Sequence, residues 1–182
     1  MFEKIAYRES GGLCAILQPK LLELSDLKLS QNPVIVVLEG TEKPGNLGAI
    51  LRTTDAAKID AVILCDSALE LHNPNAIRAS LGSIFTQQIV SCESEKAIFF
   101  LKQAKIKIYA AALTATKFYH ESNFAQATAI AMGSEAFGLS EKWLKNCDQA
   151  IKIPMRGKVD SMNLSVSTAI LVFEAMRQRG FE

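Results

Sequence analysis

Apolar residues recur along this chain in two alternating patterns. Short continuous runs are separated by longer stretches with helical spacing, which predicts an open, mostly parallel α/β sheet with helices on both faces. Val34 to Leu38 is an unbroken, largely β-branched run and predicts a strand buried on both sides. Leu47, Ile50, Leu51 and Ala57 follow at helical spacing over 47–58, and Ala61 to Cys65 form a second buried run. A short helix is predicted over 74–81, with Pro74 in its first turn, and then a strand near 84–90. A helix over 94–104 and strands over 106–112 and 127–132 follow. Ser140, with Glu141 behind it, marks the start of a short helix carrying Trp143 and Leu144. A brief strand at 150–153 precedes the last long helix, 163–179. Arg177 and Arg179 suit the C-terminus of that helix, and Gly180 suits its cap.

The first 32 residues read differently. Gly11-Gly12 precede the apolar run Leu13 to Leu17, Pro19 closes it, and Leu21, Leu22, Leu24, Leu27 and Leu29 follow as a linker. The main domain is expected to begin near Asn32. With 182 residues, 49% of them hydrophobic, the chain suffices for one full-sized core and is short for two. No apolar stretch approaches the roughly 18–20 residues of a membrane span, and Met1 to Ile5 lack the pattern of a secretory signal. A cytoplasmic protein is therefore expected. Cys14, Cys65, Cys92 and Cys147 lie far apart without CxxC spacing, so reduced thiols and no metal site are expected. Net charge is +1, which does not advertise a nucleic-acid binder. The balance is uneven, with 8 Lys and Arg against 10 Asp and Glu over 1–91, and 12 against 9 over 92–182.

Three polar, glycine-containing stretches follow three buried runs, where ligands bind in an open parallel sheet. The first is Pro44-Gly45-Asn46-Leu47-Gly48, read as a loop, with Arg52 and Thr53 on the helix behind it. Asn46 and Arg52 face one pocket if that helix starts near Asn46; otherwise Asn46 is a helix cap and Arg52 a surface residue. The spacing is neither GxGxxG nor a P-loop. The second stretch is Met132-Gly133-Ser134-Glu135-Ala136-Phe137-Gly138-Leu139. Its carboxylate either binds ligand or folds back onto backbone N–H groups of the turn. The third runs from Ile153-Pro154-Met155-Arg156-Gly157 to Ser161-Met162-Asn163, where Ser161 and Asn163 also read as caps of the last helix.

Taken in order, these stretches resemble the three motifs of the SpoU/TrmH-type branch of the SPOUT RNA methyltransferases. Asn46, Gly48, Arg52 and Thr53 fit an Asn-x-Gly-x-x-x-Arg-Thr pattern, and Gly133, Glu135, Gly138 and Leu139 fit Gly-x-Glu-x-x-Gly-Leu. Ile153, Pro154, Met155 and Gly157, with Ser161, Met162 and Asn163, fit the third motif, ahead of the small-residue helix Ser165 to Ala169. The resemblance covers about 32–180. It departs at Lys43, where the family often has Asp, at Thr54, where it often has Ala, and at Met162, a volume-conserving exchange for Leu.

The resemblance implies a C-terminal deep trefoil knot, which general rules of chain threading argue against proposing unaided. It also implies a homodimer and an enzyme that transfers a methyl group from S-adenosylmethionine to a ribose 2'-hydroxyl of rRNA or tRNA. The implied catalytic set is Arg52, Asn46, Glu135, Ser161 and Asn163. The implied cofactor site comprises Gly133, Glu135, Gly138, Ile153, Met155, Ser161 and Met162, with Leu113 and Thr114 added from their place after the strand at 106–112. Gly133 is expected to let the backbone approach the ligand closely. Arg52 acts either as a base or, since a guanidinium is normally cationic, as a clamp on the developing alkoxide and the adjacent phosphate. Residues 7–18 resemble the last strand and linker of the small RNA-recognition domain that many relatives carry. Residues 1–31 are accordingly expected to be a remnant of that domain and 32–182 the catalytic domain, in a chain that is a fragment. A domain that only binds RNA, and methylation of guanosine N1, are the competing readings.

Overall fold

Six consecutive buried residues, Val34–Glu39, form β1 near the middle of a fully parallel sheet. The structure, a computed structural model, describes Gln18 and residues 21–181. The other strands are β2 (Ala61–Cys65), β3 (Ile89–Cys92), β4 (Lys107–Ala111), β5 (Lys117–Phe118), β6 (Thr128–Met132) and β7 (Gln149–Lys152). Their order across the sheet is β3-β2-β1-β6-β4-β7-β5. The helices are α1 (Pro44–Ala56), α2 (Pro74–Ser80), α3 (Ser94–Gln103), α4 (Glu141–Asn146) and α5 (Leu164–Gln178).

Alternation along β1 divides the interior into two cores. Val34, Val36 and Leu38 point to one side, where Leu47, Ile50 and Leu51 of α1 and Leu171, Val172 and Ala175 of α5 cover them. Ile35 and Val37 point to the other, against Ala97 and Leu101 of α3 and Trp143 of α4. A strand buried on both faces cannot alternate apolar with polar residues, which is why this one was legible as a continuous run.

Two sequence expectations need correction. The strand expected near 84–90 starts only at Ile89, because Ser83–Phe85 form a 3-10 turn. Leu81 and Gly82, at φ 51° and 95°, adopt left-handed backbone after α2 and delay the extended chain. The Pro44-Gly45-Asn46 stretch is the first turn of α1 rather than a loop, with proline where its missing N–H costs nothing. The two-residue β5 is too short for periodicity to reveal.

The expected strand over 13–17, with Gly11-Gly12 and Pro19, lies outside the described residues. Leu22 forms a parallel bridge to Val90 at the β3 edge, and Leu24, Leu27 and Leu29 pack against the second core. That stretch is therefore packed on the body of the domain.

The other edge positions the functional loops. β7 lies between β4 and β5, which residues 112–116 alone connect, so β7 sits inside the stretch of chain that joins its two neighbours. Ala112 N–H donates to Ile151 C=O at 2.9 Å, fastening that link to β7.

Candidate active site

Because every strand pair is parallel, the chain segments after β1, β4, β6 and β7 all leave along one edge of the sheet. The chain runs from β1 to β3 on one side and from β4 to β7 on the other, so this edge includes the switch in strand order. A cleft of about 500 Å³ opens there, in the size range of small-molecule sites. Leu113, Thr114, Gly133, Glu135, Gly138, Ile153, Met155, Ser161 and Met162 all line it. The structure thus brings all nine expected cofactor residues, from three separate loops, into one cavity.

A polar chain joins the three motifs at this cleft. Asn46 on the first turn of α1 donates from Nδ2 to Oε1 of Glu135. Asn163 donates from Nδ2 to Oδ1 of Asn46 at 3.1 Å. The Oδ1 of Asn163 meanwhile accepts from Ser165 N at 2.8 Å and Ser165 Oγ at 2.6 Å, capping α5. Asn163 is both a helix cap and a tie between motifs, so the two local readings of it hold together. Ser161 stays exposed on the cleft wall.

Arg52 departs from expectation. Asn46 and Arg52 both lie within α1, where six helical steps turn them roughly 240° around the axis, so they point to different sides. Asn46 is buried and Arg52 exposed. Arg52 lines a separate groove of about 800 Å³ with Thr53, Ser80, Gly82, Thr86 and Phe173. It has no hydrogen-bond or ion-pair partner among the described residues.

The glycines of two motifs are required by protein packing. A Cβ on Gly133 would stand 2.0 Å from the Gly138 carbonyl carbon and 2.1 Å from Leu139 N, so this glycine closes the loop onto itself. Gly133 also lines the cleft, where the sequence reading expects its backbone to approach the ligand. A Cβ on Gly48 would meet Ala79 Cβ at 2.4 Å, which makes Gly48 the close-approach point of α1 and α2.

Sequence reasoning missed Glu39. This buried carboxylate at the end of β1 accepts from Ser140 N at 2.7 Å and Ser140 Oγ at 2.6 Å. Ser94 Oγ donates to it at 3.2 Å, and Trp143 Nε1 donates to Ser94 Oγ at 2.9 Å. Glu39 therefore pins the exit of the 133–139 loop, and Ser140 acts through this tie rather than by side-chain capping of α4. The available signal was a carboxylate ending a wholly apolar run.

Chemically, the cleft offers apolar walls at Leu113, Ile153, Met155 and Met162, with carboxylates at Glu135 and Asp160. That combination suits a ligand with a flat apolar part and a positive charge. Among the described residues no cluster of His, Cys, Asp and Glu is placed to hold a metal ion.

The sequence profile of the SpoU rRNA Methylase family matches residues 33–173. The chain belongs to the SpoU rRNA methylase family. The 23S rRNA (guanosine-2'-O-)-methyltransferase RlmB of Photobacterium profundum is 35% identical over 174 residues, covering 92% of this chain and 71% of that protein. RlmP of Bacillus subtilis, a 23S rRNA (guanosine(2553)-2'-O)-methyltransferase, is 32% identical over 146 residues, covering 80% of this chain and 59% of that protein. The crystal structure of an AdoMet-bound rRNA methyltransferase from Sinorhizobium meliloti superposes with a TM-score of 0.82 at 29% identity, covering 87% of this chain and 61% of that one. The chain thus spans roughly three fifths to seven tenths of these relatives' lengths. Its fold is the family's, a parallel α/β sheet with a C-terminal trefoil knot.

Proposed function

We propose that this chain carries the catalytic domain, over 32–182, of a methyltransferase that moves the methyl group of S-adenosylmethionine onto a ribose 2'-hydroxyl of RNA. Ribosomal RNA is the first candidate substrate, since the relatives at 32–35% identity are 23S rRNA enzymes. The observation that carries the reading is the tie from Asn46 to Glu135 and Asn163 at the cleft where the three motifs meet. Residues 1–31 belong to an RNA-recognition portion and its linker, and the enzyme works in the cytoplasm.

The cleft fits the cofactor. Leu113, Ile153, Met155 and Met162 would hold the adenine, and Glu135 and Asp160 would counter the positive charge. When bound, S-adenosylmethionine supplies a methyl group on a sulfonium, a strong leaving group. The protein has to align the acceptor and stabilise charge on its 2'-oxygen as the hydroxyl proton passes to water. Asn46 and Glu135 orient the ribose, while Ser161 and Asn163 hold the loop on the cofactor side. Arg52, unpaired and exposed, clamps the phosphate next to the acceptor ribose and favours the developing alkoxide as a cation. Its position outside the cleft supports the phosphate clamp over proton abstraction.

The proposed enzyme is a homodimer. Val166 and Phe173, two turns apart on α5, remain 49% and 42% exposed after the sheet has covered the helix's other apolar face. Light scattering at micromolar concentration should report twice the 19.9 kDa chain mass, and a monomer would end this part of the proposal.

Mass mapping of methylated nucleotides in RNA from cells with and without the gene tests the function. Loss of one ribose-methylated nucleotide is expected. A methylated base lost instead, or no change alongside intact cofactor binding, would replace the proposal with base methylation or RNA binding alone.

A further inference from the structure

Phe137 is the most exposed large hydrophobic side chain among the described residues, at 89%. It is not on a loose segment. Ser134 and Gly138 form an antiparallel bridge, Gly138 N–H donates to Ser134 C=O at 2.9 Å, and Phe137 N–H donates to Ser134 Oγ at 3.2 Å. Gly138, at φ 68°, completes a tight turn that holds the ring out into solvent. The same turn carries Glu135, which accepts from Asn46. Phe137 also borders the cleft. A ring built to cover a ligand inside that cleft would be partly enclosed by the surrounding loops, and this one is not.

We infer that Phe137 is the stacking platform for the base of the nucleotide whose ribose is methylated, an inference that rests on the methyltransferase reading above. An acceptor ribose held by the Asn46 and Glu135 tie has its own base one glycosidic bond away, on the outer side of the cleft. A rigid aromatic ring presented there offers a π-face to that base without needing hydrogen-bond readout. Phe137 is thus a positioning residue for the acceptor and takes no part in proton transfer.

Steady-state methylation by the full chain of 23S rRNA transcribed in vitro is the measurement, with Phe137→Ala, Phe137→Leu and Phe137→Trp. Loss of one stacked base corresponds to roughly five- to 150-fold in affinity. Phe137→Ala should raise KM for RNA by about tenfold or more, with kcat within about threefold. Phe137→Leu should resemble Phe137→Ala, and Phe137→Trp should restore the wild-type KM. S-adenosylhomocysteine affinity and dimer mass should not move. On a transcript made abasic at the methylated nucleotide, wild type and Phe137→Ala should have the same KM. A penalty that persists on the abasic transcript overturns the inference, as does weakened cofactor binding or dissociation of a dimer in Phe137→Ala. If wild type methylates no ribose, the functional reading has failed. The inference is then decided by the tryptophan emission of Phe137→Trp, in which quenching by the transcript supports stacking and its absence refutes it.

Discussion

Asn163 donates to Asn46 at 3.1 Å across 117 positions of sequence, and Asn46 donates in turn to Glu135 across 89. One amide uses its acceptor toward the start of α5 and its donor toward the loop after β6, so it can be replaced only by a group with both functions. Asn46→Ala should cost about 1–3 kcal/mol in stability, the scale of unpaired, partly buried polar groups. Asn46→Asp should cost more near neutral pH, because a second carboxylate then faces Glu135 without a donor between them. That extra deficit should shrink on acidification, when one proton shared by the two carboxyls restores a hydrogen bond. Urea midpoints at about pH 5 and about pH 8 check this; equal deficits at both would show that the Asn46 amide does not face Glu135.

Gly133→Ala should disrupt the 133–139 loop and the fold's stability together. Its methyl would collide with Gly138 and Leu139 backbone at 2.0–2.1 Å, and backbone cannot rotate away as a side chain can. A loss of about 1–3 kcal/mol, the range for overpacking, should accompany the loss of cofactor binding. Gly157→Ala is the control, since nothing lies within 4 Å of the added methyl. Thermal unfolding and calorimetric titration of S-adenosylhomocysteine measure both. Normal stability with lost binding in Gly133→Ala would return this glycine to a role at the ligand.

Arg52 lines a separate groove and not the cofactor cleft. Arg52→Ala and Arg52→Lys should therefore leave cofactor affinity unchanged. Turnover should fall by about 10²-fold or more for alanine, the scale of one lost transition-state donor. Lysine keeps the charge but loses the planar fork that holds phosphate in two places. Single-turnover rates at saturating RNA are the measurement, and an alanine variant within about threefold of wild type would move the chemistry to Glu135.

Cys65 and Cys92 are register partners on β2 and β3. A hydrogen bond from the Cys65 thiol to the Cys92 sulfur, aided by burial, pushes the Cys65 thiol far up. The same bond lowers Cys92 below the ordinary thiol value. Burial raises Cys147. The thiolate is the reactive form, so as pH rises iodoacetamide should label Cys92 first, Cys147 later, and Cys65 only after unfolding. Peptide mass spectrometry across a pH series gives the order, and labelling of Cys65 ahead of Cys92 in folded protein would reverse the assigned donor.

Local pattern determined much of this protein. A strand buried on both faces has to be a continuous apolar run, so β1 and β2 were legible within a residue of their ends. Asn163 marks a helix start by chemistry that involves only its immediate neighbours, whereas Pro44, which does the same for α1, reads in sequence as part of a loop. The motif residues, too, were visible as polar and glycine positions after buried runs. Their partners were not, because partnership is long-range. Two turns of α1 hold both Asn46 and Arg52, but which of the two faces the cleft depends on how the helix is rotated against the sheet, and the structure turns Asn46 inward and Arg52 away. Gly133 was conspicuous in sequence, whereas the backbone that forbids a side chain there comes from the return of its own loop. Glu39 follows an apolar run with nothing local to show that Ser140, 101 positions later, comes back to bind it. The insertion of β7 between β4 and β5 has no local signature at all, since hydropathy records which residues are buried and not the order in which strands come to lie side by side.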